Sequence, residues 1–231
     1  MKITALYRIP GIRERYAKIR FNYLHRISKL TRDGNILGIR KLDYSESAFI
    51  KYSSIRERVN FLVNSVDSAI RVSDQNVLVI GPRYETELFG YQGLGFKKSK
   101  ITAIDTFTYS RMIQTGNMHD LKFPNEHFDL IVIGWTLVYS TDLELALNEI
   151  HRVSKNESKI LITFDLESEN LPMSFKDIKL FNGEENILLE KIKNFKIFSY
   201  SVGPASWSGS KSVAAVILTK IGKDVQNEKN T

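Results

Sequence analysis

The sequence predicts an α/β protein built on a mostly parallel sheet with helices on both faces. Three observations carry that reading. Residues 76–80 (Asn-Val-Leu-Val-Ile) and 100–104 (Lys-Ile-Thr-Ala-Ile) read as short apolar strands rich in β-branched side chains, the pattern of parallel strands buried on both faces. A helix-length stretch, 85–96, lies between them and closes through Gly93 and Gly95, as a crossover helix does. A further apolar strand, 128–135, is followed by a helical run at 142–154 and another strand at 159–164, so strand and helix alternate through the middle of the chain.

The remaining elements follow in order. Residues 10–30 are predicted helical, because Ile12, Tyr16, Ile19, Tyr23, Leu24 and Ile27 fall close to one stripe. Residues 31–35 read as a turn, and a second helix is expected over 45–72. A third strand is expected near 113–116. The helix at 142–154 takes Thr141 or Ser140 as its expected cap. Another helix is expected at 184–195. Residues 196–202 and 212–220 read as a closing pair of strands, antiparallel at the C-terminus, joined by a Gly/Ser/Trp loop that holds Trp207. The expected organisation is a basic helical N-terminal segment (1–72), an α/β domain (73–221) and a polar tail (222–231).

Composition narrows the class. The chain has 231 residues, 42% of them hydrophobic, enough for a sizeable core, and no cysteine, which excludes disulfides and thiolate metal sites. The longest near-apolar run, 130–139, is far too short to span a bilayer. Residues 1–20 are basic and lack the apolar centre of a secretory signal, so a cytoplasmic location is expected. Charge is uneven: residues 1–58 hold 14 Lys or Arg against 5 Asp or Glu, while the whole chain is +7. A basic segment attracts nucleic acid, anionic lipid heads or anionic small substrates, or is simply a solvated helix face.

The chemistry concentrates after the first two strands. Asp105 ends the second strand and follows Gly81 by 24 positions, near the spacing of an acid that accepts hydrogen bonds from ribose hydroxyls. Glu85 stands where a dinucleotide site needs a close-approach glycine, and its carboxylate would repel a pyrophosphate. His119, His127 and His151 lack metal-ligand spacing, and no nucleophile elbow or phosphate-loop lysine is present.

Residues 116–129 (Gly-Asn-Met-His-Asp-Leu-Lys-Phe-Pro-Asn-Glu-His-Phe-Asp), followed by an apolar strand and later by 148–155 (Asn-Glu-Ile-His-Arg-Val-Ser-Lys), resemble the class I S-adenosylmethionine-dependent methyltransferases of the small-molecule type. The resemblance implies a Rossmann-like fold, S-adenosylmethionine as cofactor, and methyl transfer to an oxygen or nitrogen. Its first motif is a variant: Gly81-Pro82-Arg83-Tyr84-Glu85 keeps one glycine where the family carries three. The resemblance assigns Gly81, Arg83, Glu85, Asp105, Phe107, Asn117, Met118 and Trp135 to the cofactor. Arg83 would meet the methionine carboxylate and Glu85 its ammonium, unless Arg83 pairs with Glu87 one helical turn on. Asn117 would accept from the adenine amino group, and the Met118 amide would reach a ring nitrogen. Trp135 and Tyr139 would stand between cofactor and substrate, with His119 and Tyr139 as candidate bases. Glu149 and Arg152 read as a structural pair.

The partner implied is an anionic small molecule, glycan-like or phosphorylated, lying against the basic N-terminal helices. Two other readings stay open. One is a non-catalytic binding or scaffold protein that kept the fold. The other is a nucleic-acid-binding or -modifying protein using residues 1–58, which lacks a dedicated base-reading module.

Overall fold

The computed structural model describes residues 3–26, 56–69, 74–82, 84–106, 108, 110–166, 195–204 and 212–221. The expected turn at 31–35, the start of the second helix, most of the helix at 184–195 and of the loop at 203–211 lie outside the described residues, as do Arg83, Phe107 and Trp207. In chain order the elements are a 3-10 turn at Ile3–Arg8, α1 (Pro10–Arg26), α2 (Arg56–Ala69), β1 (Val77–Ile80), α3 (Glu85–Leu94), β2 (Ile101–Asp105), β3 (Gln114–Thr115), β4 (Phe128–Gly134), α4 (Leu143–Val153), β5 (Ser154–Leu166), β6 (Phe195–Pro204) and β7 (Ser212–Lys220). They fall into two compact units, residues 1–75 with 81–117 and residues 76–80 with 118–231.

The first unit gathers α1, α2, α3, β2 and β3. Proline at the first position suits the start of α1, where its missing N–H has no partner to lose. The buried face of α1 is Arg13, Ala17, Phe21 and Leu24, at helical spacing. Of the anticipated stripe, Leu24 is on this buried face, Ile12, Tyr16, Ile19 and Tyr23 lie on an exposed side, and Ile27 lies outside the described residues. Both sets repeat at helical spacing, so periodicity alone could not choose between them; the small Ala17 and the polar partners of Arg13 decided it. Helix α3 stops at Gly95, whose φ of 109° is open to glycine and costly for other residues. Its flank is notched at Gly93, where a Cβ would come within 2.7 Å of the Arg8 backbone nitrogen. The Arg8 Nε donates to the Gly93 carbonyl at 2.8 Å across that notch. β2 and β3 run parallel, with Asp105 opposite Thr115.

The second unit holds a mixed sheet. β1 pairs parallel with β4, from Val77 opposite Leu130 to Ile80 opposite Ile133. β4 pairs parallel with β5. β5 pairs antiparallel with β7, and β7 antiparallel with β6. Residues Val77–Ile80 and Leu130–Ile133 are buried without a break, as the apolar runs require. β5 begins earlier than expected. Residues 155–158, between the expected helix and the expected strand, form a bulge within it: Glu157 has a φ of 60°, and the register shifts between Phe128 and Leu130. The cap of α4 is Asp142, whose side chain accepts from the Leu145 amide at 2.9 Å, rather than Thr141 or Ser140. All three residue types cap well, and here the Ser140 hydroxyl is taken by His119. Leu143, Ala146, Leu147, Ile150 and Val153 give α4 its buried face. Among the described residues no helix is long and apolar enough to cross a membrane.

Candidate active site

In the first unit, backbone hydrogen bonds tie the candidate cofactor turns together. The Gly81 amide donates to the Ile104 carbonyl at 2.8 Å, and the Gly116 amide to the Asp105 carbonyl at 2.9 Å. Gly81 has a φ of 73°, which explains why this glycine stays where the other two of the usual motif are absent. Asp105 is half-buried at the end of β2, and the Thr106 hydroxyl lies 3.4 Å from one of its carboxylate oxygens. Asn117 is exposed one residue past Gly116.

Glu85 is placed differently from a group waiting for a ligand. It has no exposed surface. Its two oxygens accept from Arg20 at 2.6 Å (Nε) and 2.8 Å (Nη2), and one also accepts from the Ser110 hydroxyl. This two-pronged pairing is the strong geometry of arginine and carboxylate. The hydrogen bond and charge of Glu85 raise the Arg20 pKa still further above its already high value. Beside the pair, Tyr84 packs with Phe21 and Leu24 of α1. The volume that a glycine-rich turn leaves open is thus filled from α1. Arg20 and Ser110 were not anticipated. Arg20 lies 65 positions from Glu85, and no local pattern announces such a pair.

A second carboxylate, the half-buried Glu87, stands two residues further along α3. Burial pushes the Glu87 carboxyl up to about 7; the Asp105 charge adds to the rise, and Arg58 and Arg13 oppose it. Arg13, itself buried, donates to the Asn60 side-chain oxygen and, at 3.4 Å, to the Tyr7 carbonyl. Burial also drives the Tyr91 phenol well above its usual pKa. Among the described residues no group of three His, Asp or Glu could hold a metal ion.

In the second unit, β4 ends at Gly134 and the chain turns at Trp135. This buried tryptophan has a φ of 56°, and its amide donates to the Thr163 carbonyl at 3.0 Å. A bulky residue in the left-handed region is a true outlier, and such strain concentrates at functional turns. The Thr136 hydroxyl donates to the Gly134 carbonyl at 3.0 Å and steadies the turn. Tyr139 follows, 55% exposed, on a 3-10 turn. His119 reaches the same loop: its Nε2 lies 2.8 Å from the Ser140 hydroxyl and 3.4 Å from the Asp142 amide. A backbone N–H can only donate, so Nε2 is the acceptor there, and the assigned tautomer carries its proton on Nδ1. Met118 is buried next to His119.

The later motif is a clamp. Arg152 donates to both Glu149 oxygens at 2.7 and 2.8 Å, and to the carbonyls of Phe123 (2.8 Å) and Leu121 (2.7 Å). Glu149 in turn accepts from the Leu121 amide at 2.7 Å. Hydrogen bonding to Arg152 is the main reason the Glu149 carboxyl stays below its usual pKa. The glutamate-to-arginine spacing read from the sequence therefore ties α4 to the loop after His119.

Residues 93–162 match the family model described as a methyltransferase domain. Solved structures share the chain's fold. A candidate methyltransferase of Bacillus halodurans C-125 is 10% identical with a TM-score of 0.53, over 71% of this chain and 100% of that one. A candidate sarcosine dimethylglycine methyltransferase of Galdieria sulphuraria is 13% identical with a TM-score of 0.54, over 89% and 98%. An S-adenosylmethionine-dependent methyltransferase of Methanosarcina mazei is 16% identical with a TM-score of 0.50, over 68% and 97%. No curated protein sequence matches. The shared fold is Rossmann-like, a mostly parallel sheet with helices.

Proposed function

We propose that this protein is an S-adenosylmethionine-dependent methyltransferase acting on an oxygen or nitrogen of a small anionic or glycan-like acceptor, as the methyltransferase-domain match over residues 93–162 and the shared fold support. The observation that carries the cofactor assignment is Asp105, held at the end of β2 by backbone bonds that also fix the Gly81 and Gly116 turns. Asp105 takes the ribose hydroxyls, Asn117 the adenine amino group and the Met118 amide a ring nitrogen. Phe107 covers the adenine, and Arg83 takes the methionine carboxylate. Trp135 offers its ring to the cationic sulfonium. Glu85 is a positioning residue: with Arg20 and Ser110 it holds α1 against the turn. In the reaction, the acceptor lone pair forms the bond to the methyl carbon as the carbon–sulfur bond breaks. S-adenosylhomocysteine leaves, and the acceptor proton passes to solvent or to a base. Alignment supplies most of the rate in such a displacement. Tyr139 presents its exposed hydroxyl to the acceptor, and His119 holds the loop that carries Tyr139. The +9 balance of residues 1–58 supports an anionic acceptor.

The test is calorimetric titration with S-adenosylhomocysteine. Binding by the parent and its loss in Asp105→Ala support the reading. A second reading draws on the sealed Glu85, which fills the variant first motif: the fold is kept for binding or scaffolding. A parent that takes up no S-adenosylhomocysteine at millimolar concentration would favour it.

A further inference from the structure

The first unit contains a cavity of about 290 Å³ lined by Arg20, Gln92, Lys98 and Arg111 on its polar side and by Leu88 and Met112 among its apolar walls. It lies against residues Ile101–Ala103 at the start of β2 and against Arg111, Met112 and Gln114, which follow that strand. Three cations converge on it, and no Asp or Glu is among its lining residues. Glu85, paired with Arg20 through the guanidinium, offsets one of those charges. The second observation is Gln92. It is 6% exposed, and its side-chain Nε2 is buried with no hydrogen-bond partner among the described residues. A buried amide N–H left unpaired costs about 1–3 kcal/mol, so a polar partner in the cavity would relieve it.

We propose that this cavity is a binding site for a small phosphate-bearing metabolite, separate from the methyl-transfer site. The net charge facing the ligand is close to +2, which matches a phosphate dianion. Arg111 and Lys98 reach it from exposed positions, and the Gln92 amide donates from the buried wall. The volume is at the lower edge of ligand pockets, room for a phosphate on a small organic body and too little for a nucleotide cofactor. The apolar walls at Leu88 and Met112 would face that body.

The experiment is titration of the full chain with inorganic phosphate and with glycerol phosphate, followed by calorimetry and by thermal shift, with sodium chloride at matched ionic strength as the control. The expected result is saturable binding of both phosphates, tighter for the ester. Gln92→Leu should weaken it at least about tenfold, as loss of a hydrogen bond to a charged group does. Arg111→Ala, a change at an exposed position, should weaken it by about as much and gives the reading if Gln92→Leu fails to fold. S-adenosylhomocysteine affinity in Arg111→Ala should equal the parent's, which separates this site from the cofactor's. No phosphate binding by the parent overturns the proposal, and so does binding that Arg111→Ala leaves unchanged.

Discussion

Removing Arg20 should cost this protein more than neutralising its partner. The two side chains are unequal: the Arg20 side chain keeps 32% of its exposure and that of Glu85 keeps none. In Arg20→Met the buried carboxylate loses both guanidinium hydrogen bonds and keeps that of the Ser110 hydroxyl. Breaking a buried pair in that way costs about 3–5 kcal/mol. Water entering along the arginine channel would bring the loss towards the lower figure. In Glu85→Gln the guanidinium can turn to solvent, and the amide can still accept one hydrogen bond and keep the Ser110 contact. That change should cost about 1–2 kcal/mol. The double variant should lie well above the sum of the singles, because the costliest species, an unpaired buried carboxylate, is gone. Urea unfolding followed by tryptophan fluorescence and by circular dichroism gives the four values. Limited proteolysis reports whether α1 loosens. If Arg20→Met is no worse than Glu85→Gln, or if the two changes simply add, the pair does not anchor α1.

Other outcomes follow from the same geometry. Glu87 has a folded pKa of about 7 against an ordinary 4.5, so the unfolded chain releases its proton first. Stability should then be unaffected below about pH 4.5, fall as pH rises to about 7 and stay flat above. Glu87→Gln should flatten that slope and raise stability above pH 7 by about 1–3 kcal/mol, read from urea midpoints across pH; an unchanged slope would remove the assignment. Asp105→Ala should weaken S-adenosylhomocysteine binding by about 1–3 kcal/mol with the fold intact, measured by calorimetry. Arg152→Leu should release the loop at 121–125 and lower stability by about 1–3 kcal/mol, since Glu149, Phe123 and Leu121 all lose the guanidinium. Faster amide exchange at Leu121 would be its signature.

How far the sequence speaks depends on the range of the interaction. β1, β2, β4 and β7 were legible because a strand buried on both faces must be apolar at every position, and that constraint is written locally. The stop at Gly95 and the clamp from Glu149 to Arg152 were legible for the same reason: partners lie within a turn of each other. Asp142 displaced Thr141 and Ser140 as a cap because side chains of similar capping strength differ only in backbone angle. The bulge at Glu157 was hidden by a lack of glycine. The exposed and buried stripes of α1 share one period, so only the packing of Arg13 against Asn60 and Tyr7 could distinguish them. The Arg20–Glu85 contact was invisible because a charge pair across 65 positions leaves no periodicity behind. At the site, Asp105 could be placed by spacing, whereas the occupation of the variant glycine turn by a guanidinium could not.

The saddle at Gly93 bears on how this domain could be grafted. A chimera joined just ahead of β1 would discard Arg8, Arg13 and Arg20 while keeping Glu85, Glu87 and the bare notch that receives the Arg8 backbone. Two carboxylates would lose nearby cations at once, and a strip of α3 made narrow for a close neighbour would have none. Helix α3 and the first 26 residues therefore form one heritable cassette. A swap with a related protein should move residues 3–26 together with 84–94, although about sixty residues of chain separate them.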